Sequence, residues 1–230
     1  MSINKSEASF TEISSIDSLL GLVSPKYLPT VNGVELGVIG EISSQTGNFH
    51  TWVETKFGLL AIAGTLSAET AEERRIYCSI MIGSIGVASK AMYEPDPCLI
   101  IEALNDYLSL QKPMECTLSL AVAAWDSDSE LFSIAKVGTS DICYIKNNKT
   151  VNLDVETPQI GLGLEIAEPP EVVKLGIHDC LIVSANSGTR IERLESIGLH
   201  RLQVTDIADS LESNKTLASG LILKRVIDLE

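Results

Sequence analysis

The sequence predicts a single α+β domain. Helical spacing of apolar residues gathers before residue 110 and returns once near the C-terminus, whereas 115–185 reads as a succession of short strands. Neither an internal repeat nor a change of composition divides the 230 residues, a length that favours one sizeable core.

The elements follow in order. The segment 8–22 carries Phe10, Ile13, Ile16, Leu19 and Leu20 at helical spacing, and Pro25 and Pro29 stop it. A strand is expected at 33–40 (GVELGVIG) and another at 57–63 (FGLLAIA), with the turn-like stretch SQTGNFHT at 44–51 between them. From Ala68 to Tyr93 the pattern is helical, its first turn acidic through Glu69, Glu72 and Glu73, which suits the positive end of a helix dipole. Its second half is small and apolar on most sides, as in a helix packed closely on a sheet. Asp96-Pro97 has the cap and first-turn chemistry of a new helix, amphipathic through Leu99, Ile100, Ala103, Leu104, Tyr107 and Leu108.

CTLSLAVAAW then reads as a buried strand, Ser127–Glu130 as a turn, LFSIAKVG as the hairpin return, and DICYIKNN and TVNLDVE as further strands. A Gly- and Pro-rich connection leads to VVKLGI and CLIVSA, joined by a turn at His178-Asp179. VTDIADSLES is a last helix, with Thr205 or Asp206 as its start signal, and SGLILKRVIDL a closing strand.

Composition narrows the function. With 17 basic against 31 acidic residues the formal charge is -14, a field that repels nucleic acid and anionic membrane surfaces. The two basic pairs, Arg74-Arg75 and Lys224-Arg225, read as solvated helix and strand positions. No apolar run reaches the roughly 18–20 residues of a membrane span, and MSINKSEASF lacks a signal-peptide layout, so a cytoplasmic protein is expected. Five scattered cysteines without a C-x-x-C pair read as buried free thiols. Cys116 and Cys180 fall in strands with no basic partner nearby in sequence, which argues against a nucleophile.

Several motifs resemble the protein phosphatase 2C superfamily, in particular its bacterial SpoIIE-type branch. TGNFHT (46–51) stands where that family has G-G-D-F-Y-D, and FGLLAIAGTLSAE where it has a strand ending in D-V-S-G-K-G. DPCLIIEALNDYL resembles the family helix with L-N-x-x-L, and Val137-Gly138-Thr139 the corner of the central hairpin. VVKLGIHDCLIVSANSG resembles the strand pair ending in T-D-G, and SGLILKRV the D-D-x-T strand. The likeness spans residues 20 to 228. It implies an αββα sandwich of two antiparallel sheets between helices, with 1–25 as an N-terminal helix and lead-in and 26–230 as the domain.

The resemblance also implies an activity: hydrolysis of phosphoserine or phosphothreonine by two Mg²⁺ or Mn²⁺ ions that share an activated water. Such hard dications, held close together, require several carboxylates. Carried across, the family's carboxylate positions fall on Asn48, Thr51, Gly64 (within one residue), Asn186 and the Ala218-Ser219-Gly220 stretch, represented by Ser219; all are neutral. The nearby acids Glu41, Glu54 and Glu69 match no metal position. Asp179 matches the aspartate of a P-G-D turn, where it would bond backbone.

The leading expectation is therefore a pseudophosphatase without cofactor: a regulatory module that binds a protein. By resemblance its partner is a STAS-type anti-sigma antagonist or a serine kinase in a bacterial stress-response, partner-switching pathway. The helix at 8–22 is a candidate homodimer contact. An active phosphatase with a divergent site is a second reading, with Mg²⁺ or Mn²⁺ and with Asn48, His50, Thr51 and Asn186 converging. In the family's turn, however, the His50 position is aromatic and mainly packs. A phosphopeptide-binding module is the third, using Gly47, Ser67 and Ser187, although no arginine anchors it.

Overall fold

Two strands apolar on both faces organise the domain. β4 (Gly58–Ser67) and β5 (Thr117–Asp126) are buried almost throughout, so their sequences, LLAIAGTL and LSLAVAAW, run apolar without alternation. The faces differ in size. Ala61, Ala63, Ala121 and Ala123 line the contact between two sheets, whereas Leu60, Ile62, Leu120 and Val122 face a layer of helices. Small residues thus let the sheets approach, and large ones fill the space under the helices.

In the computed structural model the described residues are 30–31, 33–40, 46–91, 96–110, 116–147, 149–153, 157–161, 169–186, 202–213 and 219–226. The expected helix at 8–22, Ser187 and Ala218 lie outside them. One sheet runs β3 (Asn48–Thr55), β4, β5, β6 (Leu131–Val137), β9 (Glu171–Val173). The other runs β1 (Thr30–Val31), β2 (Val34–Gly40), β11 (Ser219–Arg225), β10 (Cys180–Ser184), β7 (Asp141–Lys146), β8 (Lys149–Asn152). Every pairing within them is antiparallel.

The first sheet carries α1 (Ala71–Ala91) and α2 (Pro97–Leu110) on its outer face, and the second carries α3 (Val204–Ser213). The result is the expected αββα sandwich. Its inter-sheet core centres on Trp125 and Phe132, ring centroids 4.6 Å apart, packed with Leu181, Val183, Leu221 and Leu223.

Local signals set the helix starts. Thr70 and Glu73 form a reciprocal capping box ahead of α1: Glu73 N–H donates to Thr70 Oγ1 at 3.1 Å, and Thr70 N–H to Glu73 Oε2 at 2.8 Å. Asp96 Oδ1 accepts the Cys98 N–H at 2.8 Å, with Pro97 in the first turn as expected. α3 covers the expected VTDIADSLES, and of the two expected start signals Asp206 serves, reaching back to accept the Gln203 N–H at 3.1 Å.

Two expectations are corrected. The stretch 48–51 is no turn: it opens β3, and only Thr46-Gly47 turn. Lys224 and Arg225 are not solvated; the Lys224 ammonium donates to the Leu202 carbonyl, and the Arg225 guanidinium lies 4.4 Å over the Trp125 ring and 3.4 Å from Glu130. All five cysteines are free thiols, four of them buried. Among the described residues no helix is long and apolar enough to cross a membrane.

Candidate functional site

The ends of β3, β4 and β5 meet those of β10 and β11 at one edge of the sandwich. Register decides which side chains enter this seam. Asn48 pairs with Thr65, and Thr65 with Ser119, so all three project from the same side of their sheet. His50 pairs with Ala63 on that same side. Opposite stand Ala185 and Ser219, with Ser140 just before β7.

Hydrogen bonds join the two sides. Thr65 Oγ1 lies 2.8 Å from Asn48 Oδ1 and 2.7 Å from the Ala185 carbonyl, so one hydroxyl proton serves both acceptors. Ser140 Oγ donates to the same carbonyl at 2.8 Å, and the Ala185 N–H donates to the Ser219 carbonyl at 3.0 Å. Ser219 Oγ lies 2.8 Å from His50 Nδ1. Ser119 Oγ sits at the hairpin corner beside Gly138, accepting the Thr139 N–H at 3.1 Å. These groups lie close enough to be one network of neutral polar atoms.

His50 is 2% exposed, and its Nε2 has no hydrogen-bond partner among the described residues. Desolvation by burial lowers its pKa to about 4, so the imidazole is neutral at pH 7. The family-like aromatic position thus holds a ring that both packs and bonds, a role that sequence alone did not assign.

Not every anticipated residue enters the seam. Asn48, His50 and Ser219 do. Asn186, half-buried, follows directly on Ala185, and its carbonyl lies 3.5 Å from Ser184 Oγ. Thr51 and Gly64 project to the other side, toward the helix layer where Phe49 packs: three residues apart on a regular strand, Asn48 and Thr51 have opposite faces. A Cβ at Gly64 would stand 2.6 Å from the Ser119 carbonyl oxygen and 2.9 Å from Phe49 Cζ, so this glycine permits close packing on β5. The β4 residue that faces Asn48 is Thr65, one position later.

Gly47, at φ 75, closes the turn before β3, and its carbonyl accepts the Leu66 N–H at 2.9 Å. A Cβ there would meet the Leu66 carbonyl, and its amide is packed rather than presented. Asp179 serves the turn as expected: its Oδ2 accepts the Gly176 N–H at 2.7 Å and its Oδ1 the Asn147 N–H at 3.1 Å.

Two Mg²⁺ or Mn²⁺ ions held close together require negative charge from their ligands. Two dications about 4 Å apart repel by roughly 16 kcal/mol at an effective dielectric of 20, four times the figure for unit charges. Asn48, Thr65, Ser140, Asn186, Ser219 and a neutral His50 contribute no negative charge to offset it. Among the described residues no three His, Cys, Asp or Glu side chains gather around one point. The seam therefore does not fit a dinuclear centre of hard cations.

Other chemistry is muted. Burial raises the thiols of Cys78 and Cys180 to about 12 and those of Cys98 and Cys116 to about 11, which keeps them protonated and poorly nucleophilic. A cavity of about 470 Å³ lies between α2, β6 and the β8–β9 connection, lined by residues such as Ile101, Val137, Leu153, Thr157 and Pro169. None of its described lining residues belongs to the seam.

No protein-family model matches the sequence, and no curated relative matches it. Solved structures do match. A serine/threonine phosphatase of S. agalactiae superposes with a TM-score of 0.63 at 16% identity, covering 84% of this chain and 100% of that one. RsbX in complex with magnesium gives 0.60 at 12% identity over 84% and 96%. The PP2C phosphatase domain of SpoIIE from Bacillus subtilis, with a fragment of its regulatory domain, gives 0.60 at 17% identity over 84% and 63%. Layer order, antiparallel pairing and these superpositions agree: the chain has the fold of the bacterial PP2C and SpoIIE-type serine phosphatase domains.

Proposed function

We propose that this chain is a pseudophosphatase, a phosphatase-fold protein that binds a protein partner in a regulatory pathway without hydrolysing phosphate esters. One observation carries the reading: the edge of the sandwich to which the family resemblance assigns Asn48 and Ser219 as metal positions is spanned by neutral side chains hydrogen-bonded to one another and to backbone. Phosphate monoesters are among the slowest substrates to hydrolyse unaided. The described residues of the seam bring no carboxylate, and so neither lower the pKa of a bridging water nor supply charge to balance cations around a phosphoryl group. By likeness to SpoIIE-type regulators, the partner is a STAS-type antagonist or serine kinase of a partner-switching system.

Calorimetric titration with Mn²⁺ and Mg²⁺, followed by assay of a phosphoserine peptide, tests inactivity. The expected result is no pair of micromolar sites and no metal-dependent turnover; either one would overturn it. Binding to purified STAS-domain and kinase candidates, with and without EDTA, tests the rest. Metal-independent affinity is expected, and loss of binding on chelation counts against the proposal.

A further inference from the structure

β9 pairs with β6 only at Phe132, Ser133 and Ile134, because Pro169 and Pro170, just before it, lack the N–H groups that would carry the ladder on to Ala135 and Lys136. A loop closes part of the open edge: Thr157 Oγ1 donates to the Lys136 carbonyl at 3.1 Å, and the Gly138 N–H to the Thr157 carbonyl at 3.2 Å. The rest borders the cavity of about 470 Å³, a volume typical of small-molecule sites. Its walls are largely aliphatic, with Ile101 from α2, Ile134 and Val137 from β6, and Leu153. Two charged side chains also line it. Lys136, its side chain 10% exposed, has Asp141 Oδ1 at 3.5 Å. Glu171 has no ion pair among the described residues; the partner it has there is the neutral Tyr144 hydroxyl, which donates to it. The sequence between Leu153 and Glu171 holds no Lys, Arg or His. On the α2 wall the Cys98 thiol is pushed up to about 11 by burial, and Asp96 and Glu102 add to the rise, so this side too is electronegative.

We propose that this cavity binds a small organic cation, a monoamine with an apolar body, its ammonium set against Glu171 and its body among Ile101, Ile134, Val137 and Leu153. Charge selects the class. Lys136 and Asp141 offset each other, which leaves one carboxylate over. An ammonium neutralises it, an alcohol leaves it unpaired, and a carboxylate ligand sets a second negative charge beside it. The formal charge of -14 draws the same class from a distance. Because Glu171 itself is exposed, its attraction is modest and screened by salt, and the aliphatic walls supply the rest of the affinity.

Calorimetric titration of the full chain with phenylbutylamine, phenylbutanol and phenylbutyrate, alike in body and different in charge, tests this. The amine binds saturably and about fivefold more tightly than the alcohol, and the butyrate binds more weakly still. Glu171→Gln, an exposed change that leaves melting unaltered, weakens the amine about fivefold and removes its preference over the alcohol. Ala135→Leu, which adds volume at the cavity wall, weakens both amine and alcohol. No saturable binding of the amine up to about 5 mM overturns the proposal. So does an alcohol or a butyrate that matches the amine in the wild type, or an amine affinity unchanged by Glu171→Gln.

Discussion

Lowering the pH from 7.5 to 5 destabilises this domain through His50. The ring is 2% exposed, held by Ser219 at Nδ1, with Nε2 facing no partner among the described residues. Burial lowers its folded pKa to about 4, from the 6.5 of an ordinary imidazole. Between those values the unfolded chain binds a proton that the native state refuses, so stability is fully present above pH 6.5 and falls as pH drops toward 4. That depression corresponds to roughly 3 kcal/mol in all, of which about 2 kcal/mol is lost by pH 5. The assay is urea unfolding of wild type and His50→Gln at both pH values. Carboxylate titration is common to the two proteins and cancels, so wild type should lose about 2 kcal/mol more than the variant. Equal pH dependence in both would refute a buried, neutral His50.

Gly64→Ala should cost on the order of 1–3 kcal/mol in thermal unfolding, because its Cβ meets the Ser119 carbonyl oxygen at 2.6 Å; an unchanged melting point would remove the packing account of this glycine. Thr65→Val removes the hydroxyl between Asn48 and the Ala185 carbonyl and should cost about 1–3 kcal/mol, whereas a neutral effect would show that the seam does not tie the sheets. Asn48→Asp places a carboxylate in a site 3% exposed and should destabilise at pH 7. If the variant matches wild type without added cation, the neutral character of the seam is not what stabilises it. Thiol labelling at pH 8 should be slow at all five cysteines in the native protein and complete in urea, and rapid native modification of Cys78 or Cys180 would contradict their burial.

Strands and helices with strong apolar patterns were legible from the sequence. β4 and β5 declare themselves by runs of apolar residues, α2 by its cap and stripe, and the turn at Asp179 by its acid. β3 did not, because NFHTWVET places Asn48 and His50 on a buried face and so lacks the alternation that marks a strand. The capping box of Thr70 and Glu73 was there to be read by its spacing. The neutral character of the site was also written in residue types: Asn48, Asn186 and Ser219 are uncharged wherever they sit.

What residue order alone left open was which neutral positions share a site. A strand turns successive side chains to opposite faces, so a shift of one residue moves a position from the seam to the helix layer. Only the pairing of Asn48 with Thr65, and the packing of one sheet on the other, put Thr65 into the seam, sent Thr51 and Gly64 to the far side, and brought His50 within hydrogen-bonding distance of a serine 169 residues away. Composition determined that this edge carries no charge from these residues; tertiary register decided that they hold one another.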